Sequence, residues 1–158
     1  MGTTKKTLNA EQALQKPRHF CGYQERCHSE VRTKLHKLQI ARKHHDGIIA
    51  SLIVDGYVDE ERFAIAFAGG KFRIHQLGRQ KIKHAPRQKQ VSGYSINKGL
   101  RQIENGEYLP VLKKHAEERY ASMDEDDRGL RIKRTMDYLL LKGFEAGLVN
   151  DVLAGLND

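Results

Sequence analysis

Seven basic residues lie close together in the middle of the sequence and are the strongest candidates for a binding surface: Lys71, Arg73, Arg79, Lys81, Lys83, Arg87 and Lys89. They belong to a stretch of 42 residues, 62–103, that holds ten Lys and Arg and no Asp or Glu, in a chain of formal net charge +8. Solvated helical faces usually mix both signs, so this stretch concentrates positive potential on one part of the molecule. The pattern favours contact with a polyanion or an acidic protein surface over a solvated face that happens to be basic.

Two cysteines near the amino terminus are flanked by histidines, which raises the question of a zinc site. His19 stands near Cys21 and His28 follows Cys27, but this spacing matches none of the usual paired-ligand patterns. Cys21 follows the apolar Phe20, beside which a thiol can pack as a small hydrophobic group. With only two cysteines in the chain, we expect reduced thiols rather than zinc ligands or a disulfide.

Two other polar clusters have simpler explanations than metal binding. His44, His45 and Asp46 lie between two predicted helices, where Asp46 is more typical of a cap on the second helix. The acidic run 124–127 lacks the Gly and the terminal Glu of a calcium loop and is typical of a solvated turn. We find no Gly-rich phosphate loop and no nucleophile with a plausible base. We therefore expect no metal, no cofactor and no enzymatic activity.

The elements that carry these residues are predicted to be helical nearly throughout. The chain has 158 residues, of which 39% are hydrophobic and 30% charged, which suits one compact domain or a short array of repeats with a thin core. Apolar residues such as Phe63, Phe67 and Ile74 recur at helical spacing, and no stretch alternates as a strand does. No apolar run approaches the length of a membrane span, so we expect a cytoplasmic protein.

An apolar pattern occurs three times and divides the chain into repeats. Each occurrence has five positions, at offsets of +4, +9, +18 and +21 from the first: Val31, Leu35, Ile40, Ile49 and Leu52; Ile82, Pro86, Val91, Leu100 and Ile103; Thr135, Leu139, Phe144, Leu153 and Leu156. A further helical stretch precedes each occurrence, so each unit has three helices. Because such units cannot bury a full core alone, they stack side by side.

We therefore predict an all-α fold of three tandem three-helix repeats that form an elongated, bent, solenoid-like array. The predicted organisation is an N-terminal tail over residues 1–8 and repeats over 9–57, 58–106 and 107–158. The second repeat contains the acid-free stretch and is strongly basic.

Four segments, at 23–35, 55–64, 78–83 and 138–144, carry a resemblance to a known family. The most specific runs from 56 to 64 and reads Gly-Tyr-Val-Asp-Glu-Glu-Arg-Phe-Ala. In this order they resemble RecX, a family of bacterial regulators of the recombinase RecA, over roughly residues 9–156. The family fold, three tandem three-helix repeats, agrees with the repeated apolar pattern.

The sequence departs from RecX in the middle helix of the second repeat. Where members usually carry Leu and then a Lys-Gly-Ile ending, this chain has Pro86 and then Lys89, Gln90 and Val91. Proline removes an amide donor from a helix, so we expect a shorter or broken helix there. Pro17 is a second unusual proline, in the first predicted helix.

The resemblance implies a regulatory binder rather than an enzyme. RecX proteins bind the RecA nucleoprotein filament in its helical groove and limit its extension and activity. The same partner is therefore implied here, with consequences for DNA repair and the SOS response. The seven basic residues are the expected contact set, of which Arg79, Lys81 and Lys83 lie in a segment that matches the family. Because crowded like charges add little to folding, we expect charge reversal at these three positions to leave stability nearly unchanged.

A competing interpretation is a helical-repeat module that binds DNA or RNA independently of RecA. The basic stretch permits both interpretations, and they differ in whether binding requires the recombinase filament. Under the regulatory interpretation we expect a monomer that binds single-stranded or duplex DNA only weakly. Whether it occupies the filament groove or the filament end is left open.

Overall fold

All the regular structure in the described part of the chain is helical. The computed structural model describes residues 10–156, with the side chains of residues 13–86 and 89–156, so the tail predicted at 1–8 lies outside this range. Its α-helices are α1 (Ala10–Tyr23), α2 (His28–Lys37), α3 (His45–Val54), α4 (Glu60–Arg73), α5 (Arg79–Ile82), α6 (His84–Gln88), α7 (Gly93–Arg101), α8 (Asn105–Ser122), α9 (Arg128–Leu141) and α10 (Ala146–Ala154). A 3-10 turn at Arg42–His44 precedes α3. The prediction of an all-α fold is confirmed.

The helices follow one another in three groups, which we call the first, second and third repeat. The first repeat comprises α1 to α3, the second α4 to α7 and the third α8 to α10. In the second repeat α5 and α6 together take the place of one middle helix. The break follows from Pro86, because its ring clashes with the carbonyl four residues earlier, at Ile82, where α5 ends. A broken helix is what the sequence predicted here, whereas α1 continues through Pro17.

The repeated apolar pattern lies in the core. All fifteen of its positions are buried except Ile40 and Leu100, which are half-buried and pack against the core. The second and third repeats share one cluster, in which the rings of Phe72 and Tyr108 lie 5.4 Å apart. The repeats therefore stack through apolar contact, as the pattern predicted.

The two thiols are core residues. Cys21 packs in the core of the first repeat, while Cys27 packs between Phe63 and Val91 and so joins the first repeat to the second. Both thiols are free, and burial raises the pKa of each. A protonated thiol behaves as a small apolar side chain, which suits these positions.

The same turn follows the middle helix of each repeat. It contains one residue with positive φ, namely Gln39 (59°), Gln90 (61°) and Gly143 (97°). In the first repeat the amide of Ile40 donates to the carbonyl of Leu35 at 3.0 Å, and the other two repeats form the corresponding bond. This is the hydrogen bond of a Schellman helix end. Residues in the three repeats can therefore be matched position by position.

Backbone contact joins α5 to the turn after α9. The amide of Gly78 donates to the carbonyl of Lys142, and the amide of Gln80 donates to the carbonyl of Gly143, both at 2.9 Å. These bonds satisfy amides at a helix start that have no partner within the helix. A Cβ at Gly78 would lie 2.1 Å from the carbonyl carbon of Gly143, so only glycine permits this approach.

Candidate partner-binding surface

The acid-free stretch of the sequence forms most of the second repeat. Its cations therefore lie between two repeats that supply carboxylates. In the structure these cations fall into two sets. One set is paired with carboxylates from outside the stretch. The other set has no carboxylate partner among the described residues.

Arg73 belongs to the paired set and connects α4 to α8. Its Nε and Nη2 donate to the two carboxylate oxygens of Glu107 at 3.2 Å and 2.8 Å. Hydrogen bonding from this guanidinium lowers the pKa of the Glu107 carboxyl. Such bidentate geometry is the arrangement for which arginine is better suited than lysine. Arg73 thus has a carboxylate partner within the protein.

Arg79 is held by several groups of the third repeat and of the segment before it. Its Nη1 donates to Glu145 at 3.1 Å, and its Nη2 donates to the carbonyl of Ile103 at 2.7 Å and to Asn105 at 2.9 Å. The side chain is only 20% exposed. These bonds connect α5 to the start of α8 and to the residue before α10, so Arg79 joins the second repeat to the third. This differs from the expectation that Arg79 contributes little to folding.

Tyr108 completes the network around Arg79. The guanidinium lies over the tyrosine ring, with its carbon 3.8 Å from the ring centre, and the tyrosine hydroxyl accepts from the Arg79 amide at 3.0 Å. The same hydroxyl donates to Glu145 at 2.7 Å. Burial raises the pKa of Tyr108, so the hydroxyl keeps the proton with which it binds the carboxylate. Sequence reasoning missed Tyr108 and Glu145, because their distance along the chain from Arg79 gives no local signal.

Lys89 connects the second repeat to the first. Its ammonium lies 3.2 Å from a carboxylate oxygen of Glu30, whose other oxygen accepts from the amide of Cys27 at 3.1 Å. Burial of the Glu30 carboxyl opposes ionisation, but the bonds from Cys27 and Lys89 outweigh it and lower the pKa of Glu30. Arg62 reinforces this junction through a 2.6 Å bond from its Nε to Glu25.

Three lysines of the predicted contact set form no ion pair with any described residue. Lys81 is exposed, and Lys83 and Lys71 are half-buried. The ammonium of Lys71 lies 5.5 Å from the centre of the Phe67 ring. Arg87 belongs to α6, but its side chain lies outside the described residues. Among the described residues, these three lysines therefore differ from Arg73, Arg79 and Lys89, which are held by internal carboxylates.

A shallow cavity of about 530 Å³ lies beside the Arg79 network, between the end of α7 and the start of α8. Arg79 and Asn105 line it together with Arg101, an exposed cation of the acid-free stretch that sequence reasoning did not single out. Glu104, the first carboxylate after the acid-free stretch, lines the same cavity.

The residues considered as metal ligands make folding contacts instead. The Nε2 of His45 donates to the carbonyl of Ile40 at 2.9 Å. Asp46 forms an ion pair with Arg32, which lowers the pKa of the Asp46 carboxyl, and it does not cap α3 as we expected. Within residues 10–156, no three His, Cys, Asp or Glu side chains are grouped closely enough to hold a metal ion. Nor is any helix in that range long and apolar enough to cross a bilayer.

The fold and this surface define a helical-repeat protein whose middle repeat is basic. Residues 59–100, which form most of that repeat, match the family model described as the second three-helix domain of RecX. The crystal structure of RecX from Lactobacillus salivarius superimposes with a TM-score of 0.84 at 19% identity, over 91% of this chain and 94% of that one. A second RecX crystal structure gives a TM-score of 0.79 at 19% identity, over 90% of this chain and 71% of the other.

Two curated relatives carry the name regulatory protein RecX. The protein from Oceanobacillus iheyensis is 27% identical over 135 residues, which is 85% of this chain and 50% of the relative. The protein from Lactobacillus johnsonii is 30% identical over 105 residues, which is 66% of this chain and 39% of the relative. The chain belongs to the RecX family. It spans about half the length of the curated relatives that it matches, or less.

Proposed function

We propose that the protein regulates the RecA recombinase by binding its nucleoprotein filament. Binding would limit filament extension, ATP hydrolysis and co-protease activity, and so influence DNA repair and the SOS response. The proposal rests on membership of a family whose curated relatives are named as regulatory proteins. It also rests on one physical observation, the lysines of the second repeat that no carboxylate neutralises among the described residues.

The seven basic residues have two different roles in this proposal. Lys71, Lys81 and Lys83 contact the acidic partner, and Arg87 joins them on the ground of its charge. The paired cations Arg73, Arg79 and Lys89 hold the second repeat against its neighbours and so set where the lysines point. A repeat array with basic residues on its middle unit can lie across successive subunits of a filament. We propose that the protein acts as a monomer in the cytoplasm, without a cofactor and without catalysis of its own.

The test is the RecA-dependent hydrolysis of ATP on single-stranded DNA, measured with increasing amounts of this protein. We expect hydrolysis to fall. Suppression at a small fraction of the recombinase concentration would indicate binding at the filament end, whereas suppression only near saturation would indicate occupancy of the groove. Unchanged hydrolysis at saturating protein would contradict the proposal.

The competing function is nucleic-acid binding without the recombinase. The positive charge of the second repeat supports both functions equally, because lysines attract the phosphates of nucleic acid as well as the carboxylates of an acidic protein. Affinities for the assembled filament and for bare single-stranded DNA, compared at the same salt concentration, separate the two. We expect tighter binding to the filament, and equal affinities would favour the competing function.

A further inference from the structure

Matching positions at the two junctions between repeats carry different charges. At the first junction, Glu30 of α2 pairs with Lys89 in the turn after α6. The repeated apolar pattern and the matching turns align these residues with Lys81 and Lys142 at the second junction. Where the first junction has a carboxylate and an ammonium, the second has two ammonium groups.

The backbone keeps Lys81 and Lys142 close together. A Cβ on Gly143, the neighbour of Lys142, would lie 2.3 Å from the Cβ of Lys81. The carbonyl of Lys142 also accepts from the amide of Gly78, at the start of α5, at 2.9 Å. The two side chains therefore leave adjacent backbone segments, and their like charges repel one another.

No internal carboxylate neutralises these two lysines among the described residues. Glu145 lies three positions after Lys142, but Tyr108 donates to one of its oxygens at 2.7 Å and Arg79 to the other at 3.1 Å. Lys142 lies 5.7 Å from the centre of the Tyr138 ring and forms no ion pair. Two lysines on adjacent backbone segments, neither paired with a described carboxylate, form a site that an external anion can fill.

We propose that Lys81 and Lys142 bind a phosphate group of a nucleic-acid backbone. The phosphate would take the place that the Glu30 carboxylate has at the first junction. Lysine ammonium groups are compact charges that lack the planar fork with which arginine matches a carboxylate. Arg73 and Arg79 bind carboxylates, as does Lys89 at the first junction, whereas the site at the second junction holds two lysines. Two compact charges on neighbouring segments suit a nucleic-acid backbone, which carries one negative charge on each phosphate.

This inference goes beyond the proposed function, because it names a ligand that can be bound without the recombinase. It shares Lys81 with the proposed contact surface and adds Lys142 from the third repeat. Because the test uses DNA without RecA, a negative result would not contradict the proposed regulation of RecA. Unchanged ATP hydrolysis in the recombinase assay would likewise not contradict the proposed phosphate site.

The first test is the binding of a labelled single-stranded oligothymidine, followed by fluorescence anisotropy between about 50 and 200 mM salt. The double variant Lys81→Gln, Lys142→Gln is compared with the matched control Lys113→Gln, Lys114→Gln, which removes the same charge from exposed positions of α8. Each lost phosphate contact on a single strand lowers the slope of log affinity against log salt by about 0.7. Because the two lysines bind one phosphate, we expect the slope to fall by about 0.7 for the first variant and to stay near the parent's for the control.

Three results of this assay would overturn the proposal. The first is equal loss of slope in both double variants, which would mean that net charge alone is responsible. The second is no measurable binding of DNA by the parent protein at low salt. The third is displacement of the oligothymidine by poly-glutamate as effectively as by unlabelled oligothymidine, which would assign the site to an acidic protein.

A second variant tests the geometry independently. Lys81→Glu rebuilds, opposite Lys142, the ion pair that Glu30 and Lys89 form at the first junction. Because attraction replaces repulsion, we expect this variant to melt at the parent's temperature or higher while losing the affinity for oligothymidine that depends on the site. A melting temperature several degrees lower would show that the two lysines do not face one another.

Discussion

The guanidinium carbon of Arg79 lies 3.8 Å from the centre of the Tyr108 ring, across the junction between the second and third repeats. Arg79 belongs to the basic stretch, yet its donors bind Glu145, Asn105 and the carbonyl of Ile103. The positive charge of this stretch therefore serves two ends. Part of it joins neighbouring repeats, and Lys71, Lys81 and Lys83 form no ion pair with any described residue.

Loss of the Arg79 side chain is expected to destabilise the protein. Arg79→Ala removes bonds to a carboxylate and to a backbone carbonyl in a half-buried site, which should cost about 2–3 kcal/mol of unfolding free energy. Lys81→Ala, two residues away and exposed, is the control and should change it by less than about 0.5 kcal/mol. Urea denaturation measures both. Equal, small effects would mean that the Arg79 network contributes nothing to folding.

The contact between Gly78 and Gly143 is expected to tolerate no side chain. Gly78→Ala places a Cβ 2.1 Å from a backbone carbon, and the resulting shift of α5 should cost about 1–3 kcal/mol or more. Gly147→Ala, in α10 with no heavy atom within 4 Å of the new Cβ, should instead raise stability by about 0.5–1 kcal/mol. The comparison is made by thermal and urea unfolding. A neutral Gly78→Ala variant would show that the two backbones are further apart.

Leu139 tests the assignment of the third repeat. Its side chain is fully buried, so Leu139→Ala should cost about 2–5 kcal/mol. Leu141, in the same helix, is 76% exposed and supplies the control, since Leu141→Ala removes the same atoms from the surface. A cost below about 1 kcal/mol at Leu139 would contradict its place in the core.

The ion pair between Glu30 and Lys89 predicts a pH dependence. The pKa of Glu30 is lower in the folded protein than its usual value of about 4.3. The ionised carboxylate therefore stabilises the folded state above that pH. This contribution is lost as the pH falls below about 4.3 and through the folded-state pKa. Glu30→Gln should therefore be less stable than the parent at pH 7, with a difference that shrinks in acid. Melting temperatures from pH 7 to pH 3 measure this, and a constant difference would contradict it.

The unpaired lysines are expected to matter for regulation and little for folding. Lys81→Glu, Lys83→Glu should raise the concentration needed for half-inhibition of RecA-dependent ATP hydrolysis by about tenfold, which corresponds to about 1.4 kcal/mol of binding energy. Lys113→Glu, Lys114→Glu makes the same change of charge on α8 and should leave inhibition near that of the parent. If the first variant inhibits like the parent, the functional surface lies elsewhere.

The fold class and the repeat follow from local features of the sequence. Helical spacing is a local property, so positions such as Val31, Ile82 and Thr135 could be aligned without coordinates, and all three are buried. The break at Pro86 was equally local, because a proline acts on the carbonyl four residues before it. The concentration of positive charge between residues 62 and 103 could also be read from the sequence, because it depends only on which residues are neighbours along the chain.

Which basic residues have an internal carboxylate partner depends on how the repeats stack. The carboxylates that engage Arg73, Lys89 and Arg79 lie 34, 59 and 66 positions away along the chain, in the first and third repeats. Counting the charges within a segment cannot identify such a partner, because an ion pair depends on the distance between two groups in space and not along the chain. Stacking of the repeats brings these carboxylates to the basic stretch. Lys81 has no such partner in the described part of the chain, and its backbone lies next to that of Lys142 and Gly143 in the third repeat.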